Sequence, residues 1–344
     1  MCSRVTLAAA VLVLLLQPAL LLQPAQARDR LEIVGAPVIG HFSKVVSERF
    51  ARWTDFPSPR VQITGNGGGF LSFCAGIGAQ HPDIVAASRA ISDAEVAECK
   101  KNGVRSITEV KVGYEALVLA TENASATFDL TPPYIFAALA KDVEADGRIV
   151  ANPYVSWHEI DKALPEREIA FLGPAAGADL HQALVEDVLT AGCTHYPQFA
   201  ALEQREKDLA CSLIRSDGHY EGFREHDPQL VTRLKDKPGS IGVLAYSTLE
   251  AHGETIAVLP IDGVLPSPDS IADGRYGPSR PLFLYTKNQH YQKIPGLLEY
   301  IDEYTKDRTW GPDGYLVEEG LVPLADADRQ AQRTNAIGLN PLWR

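Results

Sequence analysis

Thr64-Gly65-Asn66-Gly67-Gly68-Gly69-Phe70 and, further along, Ser88-Arg89 are the residues of this chain best suited to chemistry, and that chemistry is the holding of an anion. Consecutive glycines let a backbone approach a ligand closely and aim several N–H groups at one point. The run follows a short apolar stretch, residues 61–63, and leads into Leu71, Phe73 and Cys74, which read as a short helix. A helix start presents free N–H groups and the positive end of a dipole. Ser88 and Arg89 close a second apolar stretch and would bring a hydroxyl and a guanidinium to the same rim. A guanidinium forks onto two oxygens of phosphate or sulfate, a charge-assisted contact worth roughly 1.5–3 kcal/mol.

Other readings of these residues compete. No Gly-Lys-Ser/Thr follows, so the run is not a P-loop. Gly65 and Gly67 begin a dinucleotide fingerprint, and Asp83 lies at a ribose-binding distance, but Phe70 stands where the third glycine belongs. A tight strand–helix turn without a ligand is the plain alternative, and Arg89 in a surface ion pair is its counterpart. No Gly-x-Ser-x-Gly, His-Glu-x-x-His or acidic metal cluster is present, so neither a catalytic centre nor a metal or cofactor is expected. His81, His158, His195 and His290 read as loop or surface residues, and Asn123-Ala124-Ser125 matches a glycosylation acceptor pattern.

The elements that must position these residues alternate strand and helix. Leu31 to Val34 reads as a strand, and Phe42, Val45, Val46, Phe50 and Trp53 then recur at helical spacing. Residues 61–63 and 84–87 are short strands of the buried, parallel kind. Ser92-Asp93-Ala94-Glu95 is a capping box opening a helix that ends at Asn102-Gly103. The pattern predicts an α/β fold with a parallel sheet, whose ligands gather at the carboxyl ends of the strands. Residues 112–120 form a longer strand that crosses from one lobe to the next. Beyond it come a helix opened by Thr131-Pro132-Pro133, a strand at 169–172, a helix over 180–190 capped by Gly192, and a strand at 241–244. Residues 260–281 lack periodicity and read as the returning connection, before a strand at 282–286 and an amphipathic helix through Leu297, Leu298, Ile301 and Tyr304.

Residues 1–27 read as a secretory leader, with Arg4, an apolar run and Ala25-Gln26-Ala27 as a small-x-small cleavage site. The remainder is long enough for two lobes with real cores. The net charge of −12 argues against nucleic acid and anionic membrane as partners, though not against a small anion in a cleft. Cys74, Cys99, Cys193 and Cys211 follow the leader, and four cysteines allow three disulfide connectivities. The local pairs Cys74–Cys99 and Cys193–Cys211 are favoured, with four buried thiols as the alternative and a zinc site improbable.

In order, the motifs Val34-Gly35, Thr64-Gly65-Asn66-Gly67-Gly68-Gly69-Phe70, Ala87-Ser88-Arg89-Ala90-Ile91 and Cys99-Lys100-Lys101-Asn102-Gly103 resemble the periplasmic phosphate-binding proteins of high-affinity phosphate ABC importers. Gly173-Pro174, Val185-Glu186, Ala191-Gly192-Cys193, Cys211 with Ile214-Arg215-Ser216-Asp217-Gly218, and Ser279-Arg280-Pro281-Leu282-Phe283-Leu284-Tyr285 extend the resemblance over essentially all of the chain after the leader. It implies a two-lobed type II periplasmic binding protein fold. Each lobe is then a mostly parallel sheet flanked by helices, and two hinge strands join the lobes. Residues 28–115 would form lobe I, 116–260 lobe II, and 261–344 the return to lobe I. It further implies a periplasmic monomer that binds phosphate or a similar anion without making or breaking a bond, and a permease in the inner membrane as partner.

Carried over by position, the resemblance implies a site of Thr64, Asn66, Gly67, Gly68, Gly69, Ser88 and Arg89, with Asp179 opposite. Two segments depart from the pattern. Gly35-Ala36-Pro37-Val38 replaces a usual Gly-Ser-Ser-Thr, and Ala178-Asp179-Leu180-His181 replaces a usual Ser-Gly-Thr-Arg. Each lost hydrogen bond to a buried anion costs on the order of 1–3 kcal/mol. Asp179 could accept a proton from a protonated oxyanion or pair with Arg89, and His181 could partly replace the arginine. Small Ala36, Val38 and Ala178 would also suit a bulkier organic anion. A sensor or envelope interaction protein is the alternative function, and an exported hydrolase using Ser88 a more distant one.

Overall fold

The computed structural model describes residues 28–122, 127–223 and 229–343. The leader and the Asn123 acceptor motif lie outside the described residues.

Among the described residues twelve strands run in chain order as β1 Glu32–Gly35, β2 Arg60–Ile63, β3 Ile84–Ala87, β4 Ile107–Thr121, β5 Asp142–Ala145 and β6 Arg148–Ala151, then β7 Phe171–Pro174, β8 Tyr220–Phe223, β9 Ile241–Ala245, β10 Ala257–Val258, β11 Ser279–Lys287 and β12 Val322–Pro323. Ten of them join in the order β2-β1-β3-β11-β4-β9-β7-β8, with β10 and β12 paired to β4, while β5 and β6 form a separate hairpin. The β2-β1-β3 block is parallel, as is β9-β7-β8, and the antiparallel β11 and β4 stand between them.

The fold is two-lobed because β4 is too long for one lobe. Its fifteen residues span about 50 Å at the usual rise per strand residue. Residues 107–116 of β4 pair with β11, and residues 117–120 pair with β9. The change of partner falls between Ala116 and Leu117, where Leu117 N–H also donates to the Pro278 carbonyl just before β11 begins. Two strands therefore pass side by side at the junction.

Period-two alternation divides the first lobe into two cores. Ile33, Ile84, Ala86, Leu282 and Leu284 face the helices Pro37–Trp53, Leu297–Tyr304 and Asp326–Ile337. Val34, Val85, Ala87, Phe283 and Tyr285 face Phe70, Phe73, Cys74 and Cys99 on the other side. Both faces are buried, which is why these strands read as continuous apolar runs. A single larger core fills the second lobe, around Phe136, Trp157, Phe171, Leu184 and Val243.

Both favoured disulfides are formed, Cys74–Cys99 in the first lobe and Cys193–Cys211 in the second. Several local expectations change. The strand expected at 169–172 begins at Phe171 and runs through Pro174. Residues 260–281 are not a plain connection: the helix Pro268–Ala272 is capped by Ser267, and Ile261, Ile271 and Tyr276 are buried in the second-lobe core. Gly192 is not a cap but lies inside a helical run from Asp179 to Cys193, with a π-helical segment at Leu184–Leu189. A Cβ on Gly192 would lie 2.1 Å from the Pro132 carbonyl oxygen, so its smallness serves the approach of two helices. His290 is buried rather than superficial. Its Nδ1 lies 2.6 Å from Asp83 Oδ1 and its Nε2 2.8 Å from the Ile77 carbonyl. Asp83 also accepts from Arg28 and from the Glu32 N–H, so it is occupied with the fold and not placed for a ribose.

Candidate functional site

The parallel strands β1, β2 and β3 end on the same edge of the sheet, which sets three chain segments side by side. β1 turns into the helix Pro37–Trp53, β2 into the helix Gly65–Phe73, and β3 leads into Ser88. They border a small recess of about 20 Å³ lined by Ala36, Pro37, Val38, Gly65, Asn66 and Ser88, with Gln182 from the second lobe and Arg280 from β11.

The glycine run is not a loop before a helix; it is the first turn of that helix. Thr64 occupies the N-cap and its N–H donates to the Gly35 carbonyl. The N–H groups of Gly65, Asn66 and Gly67 therefore have no intrahelical acceptor, while those of Gly68 and Gly69 close the first helical hydrogen bonds. The glycines differ in purpose. Gly65 adopts φ +70°, which a side chain would strain. Gly67 has open space where a Cβ would be, and Gly69 is packed against β1, where a Cβ would lie 3.2 Å from Gly35 Cα.

The first segment contributes more than its side chains suggest. Ala36 is the N-cap of the helix Pro37–Trp53, with its own N–H spent on the Ala86 carbonyl. Pro37 has no N–H, but those of Val38 and Ile39 lie in the first turn, before the helical bond from Gly40 to Ala36. Two helix N-termini thus converge on the recess, and the pull on negative charge comes from backbone.

Asn66 and Ser88 form one unit. Ser88 N–H donates to Asn66 Oδ1 at 2.9 Å, and Asn66 Nδ2 lies 3.0 Å from Ser88 Oγ. A backbone N–H can only donate, so the amide orientation is settled and Ser88 Oγ accepts from Nδ2. The Ser88 hydroxyl hydrogen is left for the recess, and the residue is only 7% exposed.

Arg89 stands elsewhere. Its guanidinium forms a bidentate pair with Glu95 at 2.7 and 2.9 Å, donates to the Ala90 carbonyl, and lies 5.1 Å over the Phe70 ring. The same Glu95 carboxylate accepts from Ser92 N–H in the capping box. Burial pushes Glu95 upward, but the hydrogen bonds from Arg89 and Ser92 outweigh it and hold the carboxyl below its ordinary value. Arg89 braces the rim and does not line the recess. Thr64 is exposed, its hydroxyl turned to the Gly65 carbonyl. Asp179 begins the helix Asp179–Ala183, and its side chain lies outside the described residues. His181 Nδ1 lies 3.1 Å from the Pro174 carbonyl, so that nitrogen carries a proton and is spent within its own lobe.

The charge at the recess belongs to Arg280, a residue not expected there from the sequence. Its Nε donates to Glu115 Oε2 at 2.8 Å and its Nη1 to Glu186 Oε2 at 3.1 Å, with Asp187 Oδ2 at 3.9 Å. Burial opposes the charge, yet Glu115, Asp187 and Glu186 together raise the guanidinium further. Burial conversely raises Asp187 above its ordinary value, partly offset by Arg280. A sequence signal existed: Glu115 is the one charged residue within the apolar run 112–120, and Arg280 immediately precedes an apolar strand. Two lone opposite charges in two buried strands are a pair to be expected.

The PBP superfamily domain matches residues 23–308. The chain belongs to the PBP superfamily. Among curated relatives it is 26% identical over 315 residues to Protein SphX of Synechococcus elongatus, covering 88% of this chain and 81% of that protein. It is 20% identical over 306 residues to the phosphate-binding protein PstS of Staphylococcus saprophyticus, covering 87% and 82%. Among solved structures, a possible phosphate binding protein from Planctomyces limnophilus superposes with a TM-score of 0.68 at 21% identity, covering 90% of this chain and 98% of that one. PstS from Borrelia burgdorferi gives 0.57 at 15% identity, covering 85% and 97%. The family is one of solute-binding proteins rather than enzymes, and its two-lobed fold is the one seen here.

Proposed function

We propose that this PBP-superfamily protein captures phosphate or a related oxyanion in the cleft between its lobes and delivers it to an ABC-type importer. The observation that carries the reading is the convergence of two helix N-termini and the Ser88 hydroxyl on one recess beside Arg280. The N–H groups of Gly65, Asn66, Gly67 and Val38 donate to the anion together with Ser88 Oγ. Thr64, Gly68, Gly69 and Arg89 shape and brace that wall, and Asp179, which opens the second-lobe helix, is assigned as acceptor for a proton of the ligand. The lobes hinge at 116/117 and 278/279, where β4 changes partner and β11 begins. No bond is made or broken.

Export to the periplasm rests on the leader at 1–27, and no helix among the described residues is long and apolar enough to cross a membrane. A permease is the expected partner by similarity to relatives named for phosphate binding.

Titration calorimetry with phosphate, sulfate and arsenate tests the reading. Saturable phosphate binding well below a Kd of about 1 mM is expected, equivalent to more than about 4 kcal/mol. Silence up to that concentration sinks the assignment. Ala36, Pro37 and Val38 on the wall favour a second reading, a bulkier organic anion, which an alkyl phosphonate binding more tightly than phosphate would establish.

A further inference from the structure

Glu186 holds the two side-chain donors that the hinge and the second lobe offer the recess. Gln182 Nε2 donates to Glu186 Oε1 at 2.6 Å, and Arg280 Nη1 donates to Glu186 Oε2 at 3.1 Å. Gln182 and Arg280 both line the recess. One carboxylate is thus gripped by an amide and a guanidinium, the arrangement by which a protein grips a small oxyanion. We propose that the Glu186 carboxylate is a built-in rival of the ligand, and that an incoming oxyanion must displace it to take Arg280 and Gln182. The proposal rests on the reading of the recess as an oxyanion site and names what regulates its affinity.

The surroundings distinguish Glu186 from the other carboxylates on Arg280. Glu115 pairs with Arg280 across neighbouring strands, and its side chain is 9% exposed, so it is a fixed anchor. Glu186 is 48% exposed and returns to water at little cost. Arg280 itself is only 12% exposed and cannot leave. With Glu115, Glu186 and Asp187 around a single guanidinium, an added anion meets like charge unless one carboxylate withdraws, and Glu186 is the one free to do so.

Calorimetric titration of the full chain with inorganic phosphate tests this in wild type, Glu186→Gln, Arg280→Lys and the double variant, with Glu98→Gln as a control for lost negative charge. Glu98 is an exposed acid paired with Lys101, away from the recess. Glu186→Gln is expected to tighten phosphate roughly tenfold, because a neutral amide competes less well for a guanidinium than a carboxylate. Glu98→Gln should leave Kd unchanged. Arg280→Lys keeps the charge but loses the fork and should weaken binding about tenfold, and on that background Glu186→Gln should add little. A wild type silent to phosphate beside a binding Glu186→Gln protein also supports the rival. Wild-type binding that Glu186→Gln leaves unchanged or weakens overturns it while sparing the oxyanion reading. An equal gain from Glu186→Gln on both backgrounds overturns the route through Arg280. Silence of every variant toward phosphate, sulfate and arsenate overturns the oxyanion reading and the rival with it.

Discussion

Arg89 at the rim and Arg280 at the hinge are the same residue type beside the same recess, and their fates are opposite. Arg89 meets a carboxylate six positions along its own chain, already fixed by a helix cap, and is saturated by it. Arg280 meets Glu115 and Glu186, both far away in sequence, where two strands and a helix cross. The rim pair is local and partly solvated; the hinge pair is long-range and buried. An arginine next to a glycine run is thus drawn away from the recess when a capping glutamate lies within its reach. The cation left at the recess is the one whose carboxylates arrive from another part of the fold.

The largest test of that contrast is stability. Glu115→Ala leaves a buried guanidinium short of its anchor and should cost about 3–5 kcal/mol in urea unfolding. Glu95→Ala should cost about 1–2 kcal/mol, from a partly exposed pair and a lost cap. Equal costs would break the distinction between hinge and rim. Replacing Cys74 and Cys99 by serine opens a loop that closes over 25 residues and should lower stability by about 3 kcal/mol. Because the bridge ties the glycine helix to the helix bearing Glu95, that variant should also weaken phosphate binding, whereas serines at Cys193 and Cys211 should lower stability by a similar amount and spare affinity.

Asn66→Ala removes both hydrogen bonds to Ser88 and frees the hydroxyl to turn away. A loss of about tenfold to a hundredfold in phosphate affinity is expected by calorimetry.

The two regions should also titrate with opposite sign. Glu95 is held below its ordinary value of 4.5, so the folded state binds fewer protons there and its contribution, present above that value, is lost as pH falls through the folded value. Asp187 is raised above 3.8, so the folded state binds more protons and stability falls as pH rises through the interval above 3.8. Unfolding free energies measured across the acid range should show Glu95→Gln flattening the acid-side loss and Asp187→Asn removing the opposing slope. The smallest effect belongs to Arg89→Ala, which should change phosphate Kd by less than about threefold, within the scatter of a surface pair. Loss of binding there would show that Arg89 swings into the recess, and the contrast would fail.

Much of the architecture was legible because it is carried by neighbouring residues. Strand alternation, the capping box at Ser92 to Glu95 and the Thr131-Pro132-Pro133 start each depend on spacing of a few positions, and each stands as read. The over-long strand also announced itself by length, and the paired cysteines by proximity in sequence. Gly192 misled because a glycine at a helix end and a glycine at a helix crossing look alike until the second helix is in place.

The sequence by itself thus determined the α/β lobes and the glycine-rich helix start, since strand-to-helix turns carry their own backbone donors, while the Asn66–Ser88 pair awaited the meeting of two strand ends. Only the tertiary structure decided which N–H groups are free, that Arg89 is spent, and that Arg280, Glu115, Gln182 and Glu186 meet at the recess. The reason is physical: hydrogen-bond capacity within a turn depends on adjacent residues, whereas the pairing of a buried charge depends on which strands and helices the chain brings together from afar.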